Sequence, residues 1–79
     1  MKELCNRLSA DTGLTFRIDP DTCEPAASGA ALNYWVTTWK DGFTLEANSI
    51  YDNVFAGPIK TETELIAKIN ELENDFRHV

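Results

Sequence analysis

The clearest alternation of apolar and polar positions runs from Leu32 to Ile50 and predicts a two-stranded antiparallel hairpin. The two alternating segments meet at Asp41-Gly42, a dipeptide typical of a two-residue type I′ turn, in which both central residues have positive φ. Such a turn would place Lys40 opposite Phe43 and so fix the pairing of the strands. One face would carry the core residues Leu32, Tyr34, Val36, Phe43, Leu45 and Ala47. The other face would carry Trp35, Thr37 and Trp39, opposite Asn48, Glu46 and Thr44.

The second face of this hairpin is unusual because it carries two tryptophans among polar residues. Trp35 and Trp39 could together present roughly 300 Å² of aromatic surface, which is costly to leave in water. Exposed tryptophan beside polar groups is typical of the energetic centre of a protein interface. Trp35, Trp39 and Glu46 are therefore candidate partner-binding residues. The alternative is that a β-bulge or the preceding loop covers this face, so that one or both tryptophans belong to the core.

Two segments have helical periodicity. In the segment from Lys2 to Thr12 the apolar residues fall on one side, and Gly13 can end the helix in the left-handed conformation. The second helix is predicted from about Glu62 to Arg77, after a capping box in which Thr61 and Glu64 each satisfy the other's backbone amide. The apolar residues of the two helices are Leu4, Cys5 and Leu8 in the first and Leu65, Ile66, Ile69, Leu72 and Phe76 in the second.

The remaining segments have weaker patterns. Residues 14–19 alternate and predict a half-buried strand that Pro20 ends. Prolines, alanines and acidic residues from Asp19 to Ala31 predict a loop, with at most a helical turn near Ala26. Residues 51–58 fit a helical turn, a strand continuation or a packed loop about equally well.

Together these elements predict one small α+β domain spanning residues 1–79. A three-stranded antiparallel sheet would carry the N- and C-terminal helices on one face, in the order α-β-β-β-α. The alternation favours this two-layer arrangement, because strands covered on both faces are continuously apolar. The element order resembles that of the double-stranded RNA-binding domain, which contacts phosphate through basic residues before its last helix. Here Glu62 and Glu64 occupy that place, so the resemblance implies a shape and no RNA binding.

The charge of the chain narrows the possible partners. Thirteen acidic residues against seven basic ones give a net charge of −6. Such a surface repels phosphate backbones and anionic lipids and attracts a positively charged partner. No apolar run is long enough to span a membrane, and residues 1–7 lack the apolar segment of a signal peptide. We therefore expect a cytoplasmic protein that binds neither nucleic acid nor membrane directly.

The sequence contains no recognisable catalytic constellation. His78 is the sole histidine and is the penultimate residue, a position rarely rigid enough for acid–base catalysis. Cys5 and Cys23 have no neighbouring base in the sequence that would favour a reactive thiolate. We expect both thiols to be reduced, with Cys5 on the buried side of its helix, although the spacing also permits a bridge between them. These observations predict a protein that is not an enzyme.

Cofactor and metal sites are equally unsupported. The segment Asp19-Pro20-Asp21-Thr22-Cys23-Glu24 resembles the start of a calcium-binding loop. That loop needs glycine at its sixth position and glutamate at its twelfth, where this chain has Glu24 and Ala30. A solvated acidic turn is the simpler interpretation, and Asp19, Asp21 and Glu24 are second-choice candidates for contact with a basic partner.

The acidic residues of the last helix permit two interpretations. They could form a surface that imitates the charge of nucleic acid, or they could simply be a solvated helix face. The residues concerned are Glu62, Glu64, Glu71, Glu73 and Asp75.

In its small size, acidity, compact architecture and lack of motifs, the chain resembles the small inhibitors encoded by phages and mobile elements, including the anti-CRISPR proteins. Those inhibitors typically bind an effector complex and block access to its nucleic-acid target. The resemblance implies an inhibitor that covers a basic surface of a protein partner such as a CRISPR effector complex, and the sequence leaves open whether the chain is a monomer or a homodimer. The alternative is a structural or assembly domain that hides the tryptophan face in a homodimer or pairs through an edge strand.

Overall fold

The structure, a computed structural model, describes residues 1–77 of the chain and the side chains of residues 1–76. It is an α+β fold in which an N-terminal and a C-terminal helix flank five antiparallel strands. The elements are α1 (Lys2–Thr12), β1 (Arg17–Ile18), β2 (Pro25–Ser28), β3 (Asn33–Trp39), β4 (Gly42–Asn48), β5 (Asn53–Ile59) and α2 (Glu62–Arg77). The strands form a meander, each paired with its neighbour in the chain. The prediction of α+β class is confirmed, and the prediction of three strands is wrong.

Both helices have the predicted bounds. Gly13 has φ 76° and its backbone N–H donates to the Ser9 carbonyl, so it ends α1 as the pattern indicated. At the start of α2, the Glu64 backbone N–H donates to the Thr61 hydroxyl over 3.1 Å, which forms one half of the predicted capping box. The apolar sides of the two helices join the same buried cluster as the sheet.

The core lies between the two helices and one face of the sheet. Tyr34 and Val36 of β3 and Leu45 and Ala47 of β4 are completely buried, in agreement with the predicted core face of the hairpin. The helices contribute Leu4, Cys5, Leu8, Leu65, Ile69 and Leu72. Since the buried residues of the sheet lie on its helix-facing side, we call the opposite side the open face.

A buried carboxylate at the end of α2 joins that helix to the first half of the chain. Glu73 is only 6% exposed. It accepts hydrogen bonds from the Tyr34 hydroxyl over 2.8 Å and from the Ala30 backbone N–H over 3.1 Å. Burial, the hydrogen bond to Glu73 and the negative charge of Glu73 together raise the pKa of Tyr34 well above its ordinary value. Glu73 is therefore a core residue, and the prediction that it belongs to an acidic surface is wrong.

The predicted loop from Asp19 to Ala31 contains a strand. Its residues 25–28 form β2, which pairs with β1 and with β3. Pro25 and Ala27 are buried, while Ala26 lies on the open face between Arg17 and Trp35. Because proline and alanine are depleted in strands, the composition of residues 25–28 did not predict a strand. Pairing with β1 and β3 and the burial of two side chains hold the segment in place.

The predicted strand over residues 14–19 is correspondingly shorter. Only Arg17 and Ile18 pair as a strand. Phe16 is buried as expected, whereas Ile18 is 40% exposed and lies outside the core. Residues 53–59 adopt the strand, one of the alternatives left open for this region, and form the second edge of the sheet.

The hairpin of β3 and β4 has the predicted faces but a different register. Trp39 pairs with Gly42, so Lys40 and Asp41 form the turn and every partner moves by two residues. Cys23 is the single non-glycine among the described residues with positive φ, and the turn is therefore not type I′. Gly42 has φ 146°, and a Cβ there would overlap the Ile59 carbonyl oxygen of β5. The glycine permits close approach of two strands instead of forming the centre of the turn.

Candidate functional site

One row of residues crosses the open face from edge to edge. The register aligns Arg17, Ala26, Trp35, Glu46 and Phe55, one residue from each strand. Because neighbouring strands lie about 4.8 Å apart, this row is about 19 Å long. The centre and one end of the row are aromatic, and a carboxylate stands between them.

The aromatic residues of the open face are accessible to different degrees. Phe55 is 71% exposed and Trp39 is 59% exposed. Trp35 is half-buried. The prediction of an aromatic face outside the core therefore agrees with the geometry, and neither a bulge nor the preceding loop covers Trp39. Large exposed aromatic side chains beside polar groups are typical of a binding site.

Trp35 is held in position by the β1–β2 loop. Its indole N–H donates to the Asp19 carboxylate over 3.1 Å. The other oxygen of that carboxylate accepts from the Asp21 backbone N–H over 2.8 Å. The backbone N–H of Asp21, the indole of Trp35 and the backbone N–H of Thr22, in that order of effect, lower the pKa of Asp19. Asp19 thus orients a tryptophan that the sequence had offered as a separate candidate.

A depression of about 200 Å³ lies on the β5 side of Trp35. It is lined by Thr22, Glu24, Trp35, Thr37, Thr44, Glu46 and Phe55. The lining combines two aromatic rings with two carboxylates, one from the β1–β2 loop and one from β4. Glu46 also accepts a hydrogen bond from the Asn48 side chain over 3.3 Å.

A wider and shallower depression of about 600 Å³ lies on the β1 side of Trp35. It exists because β2 presents only small side chains there, Ala26 and Ser28. Its rim is polar and includes Arg17, which forms no ion pair with any of residues 1–76. The Trp35 indole therefore separates a part of the open face that carries charges of both signs, Arg17 and Asp19, from a part that carries two carboxylates.

Trp39 lies near the turn end of the hairpin, outside both depressions. Its indole N–H donates to the Thr44 hydroxyl over 2.9 Å, a diagonal contact across β3 and β4. The other predicted residue outside the depressions is Asp21, whose side chain is exposed in the loop. Six residues were predicted to contact a partner. The structure brings three of them, Glu46, Asp19 and Glu24, together around the indole of a fourth, Trp35, and places Trp39 on the same face.

The sequence patterns did not identify Phe55 as part of this face. Its segment fits three different structures, and in a helical turn Phe55 would have been a core residue. The local pattern gave no signal, because Val54, Phe55 and Ala56 are all apolar and their assignment to two faces depends on the packing of Val54 and Ala56 against the core.

A second exposed apolar feature lies at the turn between β4 and β5. Ile50 and Tyr51 are each 88% exposed. The turn is well ordered, because the Ser49 hydroxyl accepts hydrogen bonds from the backbone N–H groups of Tyr51 and Asp52. Serine and aspartate flanking a two-residue tip are common turn residues, and this was the signal that the sequence analysis missed.

The acidic residues of α2 are partly compensated within the chain. The carboxylate of Glu62 accepts from the Arg7 guanidinium over 2.7 Å, and Glu71 lies 3.6 Å from the Lys68 ammonium. Glu73 is buried. On the open face, Glu24 and Glu46 lie beside Trp35 and Phe55 and form no ion pair with a described residue.

The groups considered for catalysis and metal binding do not converge in the described region. Burial raises the pKa of the Cys5 thiol, which makes it less reactive. Cys23 is exposed, and the two cysteines are not bridged. Residues 1–77 contain no group of three histidine, cysteine or acidic side chains that could hold a metal ion. His78 lies outside the described residues.

None of the helices described has the length and apolar character required to cross a membrane. In comparisons with protein families, curated proteins and solved structures, nothing matches this chain. Its function must therefore be argued from the geometry.

Proposed function

We propose that this chain is a small acidic protein-binding module that docks through its open face on a positively charged surface of a partner protein. Binding would involve no catalytic step and no cofactor. The encounter would take place in the cytoplasm.

The observation that carries this proposal is the exposure of large aromatic side chains on the open face. Trp39 and Phe55 are both more than half exposed. On the opposite side of β3 and β4, every apolar residue is buried or packed against the core. A chain of 79 residues has little apolar surface to spare for stability, so leaving two large aromatic side chains in water favours a binding role for them.

The charges beside these residues indicate the sign of the partner. Glu24 and Glu46 line the depression between Trp35 and Phe55. Together with a net charge of −6, they favour rapid encounter with a basic surface. The aromatic residues would then slow dissociation, because rigid aromatic side chains supply a large contact area with little loss of entropy.

A narrower proposal concerns the consequence of binding. A basic protein surface of this kind commonly binds nucleic acid. An acidic module seated on it would exclude that ligand by steric and electrostatic competition. We propose that the chain is such an inhibitor, of the type represented by anti-CRISPR proteins; its support is the small size, the acidity and the lack of catalytic motifs.

Capture of partners from a lysate of the native host tests the docking face. The tagged chain should retain a basic nucleic-acid-binding protein that is released as salt is raised. The double variant Trp39→Ala, Phe55→Ala should lose it. A matched control is the double variant Ile50→Ala, Tyr51→Ala, which removes a similar apolar surface at the β4–β5 turn. Loss of capture in the control alone would contradict the proposal, as would equal capture by all three proteins.

Self-association is a second candidate, favoured by the composition of the edge strand β5. Residues 53–59 contain no charged side chain, although edge strands commonly carry charges that prevent pairing with other chains. Two copies could pair β5 with β5 and bring their Phe55 side chains together. Light scattering of the purified protein separates the candidates: a monomer at micromolar concentration supports the docking module, whereas a stable dimer that Phe55→Ala dissociates supports assembly.

A further inference from the structure

We propose that the depression between Trp35 and Phe55 is a site for one arginine side chain of a partner protein. This inference rests on the protein-binding function proposed above and names the group that the open face recognises. It concerns the part of the face whose volume is about 200 Å³, which suits one long side chain and is too small for a whole element of structure.

The strand register explains the arrangement of the site. Glu46 pairs with Trp35 on one side and with Phe55 on the other. Directly opposed residues on neighbouring strands have Cβ atoms about 5 Å apart. Glu46 therefore stands between two aromatic residues, and a long side chain that contacts its carboxylate can also contact the rings.

A second carboxylate comes from a different element. Glu24, in the loop before β2, lines the same depression and is half-buried. Neither Glu24 nor Glu46 forms an ion pair with a described residue of this chain. The site thus holds two negative charges beside aromatic rings without an internal counter-ion, so an anionic ligand would be repelled and an apolar one would bury charges that no cation neutralises.

The combination of groups favours arginine over lysine. A planar guanidinium can lie flat against an indole ring while two of its N–H groups donate to one carboxylate. It is also more weakly hydrated than an ammonium and loses less on leaving water. The hydroxyls of Thr22, Thr37 and Thr44 line the same depression and offer further acceptors for the five donors of the guanidinium.

One wall of the site is fixed before a ligand arrives. The Trp35 indole donates to Asp19, which is itself held by the Asp21 backbone N–H. Because this ring does not need to be ordered on binding, the entropic cost of forming the complex is reduced.

Titration of the isotope-labelled protein with short peptides tests the site without requiring the partner. Three capped pentapeptides would differ only in their central residue: arginine, lysine or glutamine. The arginine peptide should shift the indole N–H signal of Trp35 in a saturable manner, with at least about fivefold weaker binding of the lysine peptide and no saturable shift from glutamine. The backbone amide signals of α2, on the other side of the sheet, are internal references and should not shift.

Two variants separate the site from general attraction between charges. Glu46→Gln should weaken binding of the arginine peptide about tenfold, in line with loss of one charged hydrogen bond. Glu64→Gln removes the same charge from an exposed position on α2 and should leave the affinity unchanged. Both substitutions are at exposed positions, so the folded state can be verified by the remaining amide signals.

Several results would overturn the assignment to arginine. They are equal binding of the three peptides, no saturable shift at millimolar peptide, equal weakening by the two variants, or lysine binding as tight as arginine. The docking proposal stands or falls separately: capture of a partner that depends on Trp39 and Phe55 but is unaffected by Glu46→Gln would preserve the docking face and eliminate the arginine site. Binding of the arginine peptide without capture of any partner from the lysate would preserve the arginine site and eliminate the docking proposal.

Discussion

The two faces of the sheet are made by alternate residues of the same strands, yet they differ in how accessible their side chains are to a ligand. On the helix-facing side, Tyr34, Val36, Leu45 and Ala47 are completely buried. On the open face, three residues after Val36, Trp39 remains more than half exposed. The difference indicates that the core is completed by the two helices alone, and that the open face contributes little to it.

The polar groups of the two faces also differ in whether they have partners within the chain. On the covered side the Tyr34 hydroxyl and the Glu73 carboxylate satisfy each other in the interior. On the open face the carboxylates of Glu24 and Glu46 have no cationic partner among the described residues. A small domain can leave charges uncompensated where a partner supplies the counter-charge, and the following predictions test how sharply the faces differ.

The largest effect should come from emptying the core. Leu45→Ala should lower the free energy of unfolding by about 3 kcal/mol, because it leaves a cavity at a completely buried site. Glu46→Ala, the next residue on β4 and on the opposite face, should change it by less than about 0.5 kcal/mol. Urea denaturation followed by circular dichroism measures both. Similar losses in the two variants would show that the open face also supports the fold.

Gly42 is a position on the open-face side where packing is tight. Gly42→Ala should cost about 2 kcal/mol, because the new Cβ would overlap the Ile59 carbonyl oxygen and φ is 146°. Asp41→Ala, in the adjacent turn, should be nearly neutral by the same denaturation measurement. A neutral Gly42→Ala would contradict the close approach of the Ile59 carbonyl of β5 to Gly42.

Loss of one hydroxyl from the covered face should have a smaller effect. Tyr34→Phe keeps the ring but removes the donor to the buried Glu73 carboxylate, at an expected cost of about 1.5 kcal/mol. Tyr51→Phe is the matched control, since Tyr51 is 88% exposed and should not alter stability. Equal denaturation midpoints for the two variants would mean that the Tyr34 hydroxyl contributes nothing.

The same hydroxyl predicts a dependence on alkaline pH. The pKa of Tyr34 is raised in the folded state above its ordinary value of 10, so the folded chain retains a proton that the unfolded chain releases. The resulting stabilisation is fully present below pH 10 and is lost as pH rises from there towards the raised pKa. Urea midpoints measured from pH 8 to 11 should therefore fall more steeply for the natural chain than for Tyr34→Phe. Parallel curves would contradict this prediction.

The smallest effect is expected at Asp19, on the open face. Asp19→Asn removes one of the two carboxylate oxygens that hold the Trp35 indole and the Asp21 backbone N–H. The urea midpoint should stay unchanged, while the indole N–H signal of Trp35 should move and that of Trp39 should not. The interaction should persist at neutral pH, because the pKa of Asp19 lies below its ordinary value of 3.8, and it should be lost as the pH falls through that lowered pKa.

The alternation of apolar and polar side chains predicted correctly on which face of the hairpin its residues lie. It did not predict which residues of the two strands pair. Val36 and Leu45 were assigned to the core and Trp35 and Glu46 to the other face, and a register error of two residues left those assignments intact because strands have a period of two. The error itself arose from Gly42. The dipeptide signal assigns its glycine to a turn, whereas here contact with β5 requires it, and that contact is invisible in a local pattern.

The parts of the site that the sequence did not predict depend on distant neighbours. The strand β2 is held by its pairing with β1 and β3, and its one proline and two alanines carry no strand preference of their own. Phe55 was ambiguous because its segment is short. Glu73 has the spacing of a solvated helix residue, and only the Tyr34 hydroxyl beneath it identifies it as buried. Each case required knowledge of which segments lie against each other.

The Glu73 contacts also affect how the chain can fold during synthesis. They join α2 to Ala30 and Tyr34, which precede Glu73 by 43 and 39 positions in the sequence. The Arg7–Glu62 pair spans 55 positions. Contacts between such distant positions slow folding, because a long loop must close before they form. A ribosome would release all five strands before the helix that covers them, so we expect the nascent chain to remain accessible to chaperones and proteases until α2 has been made.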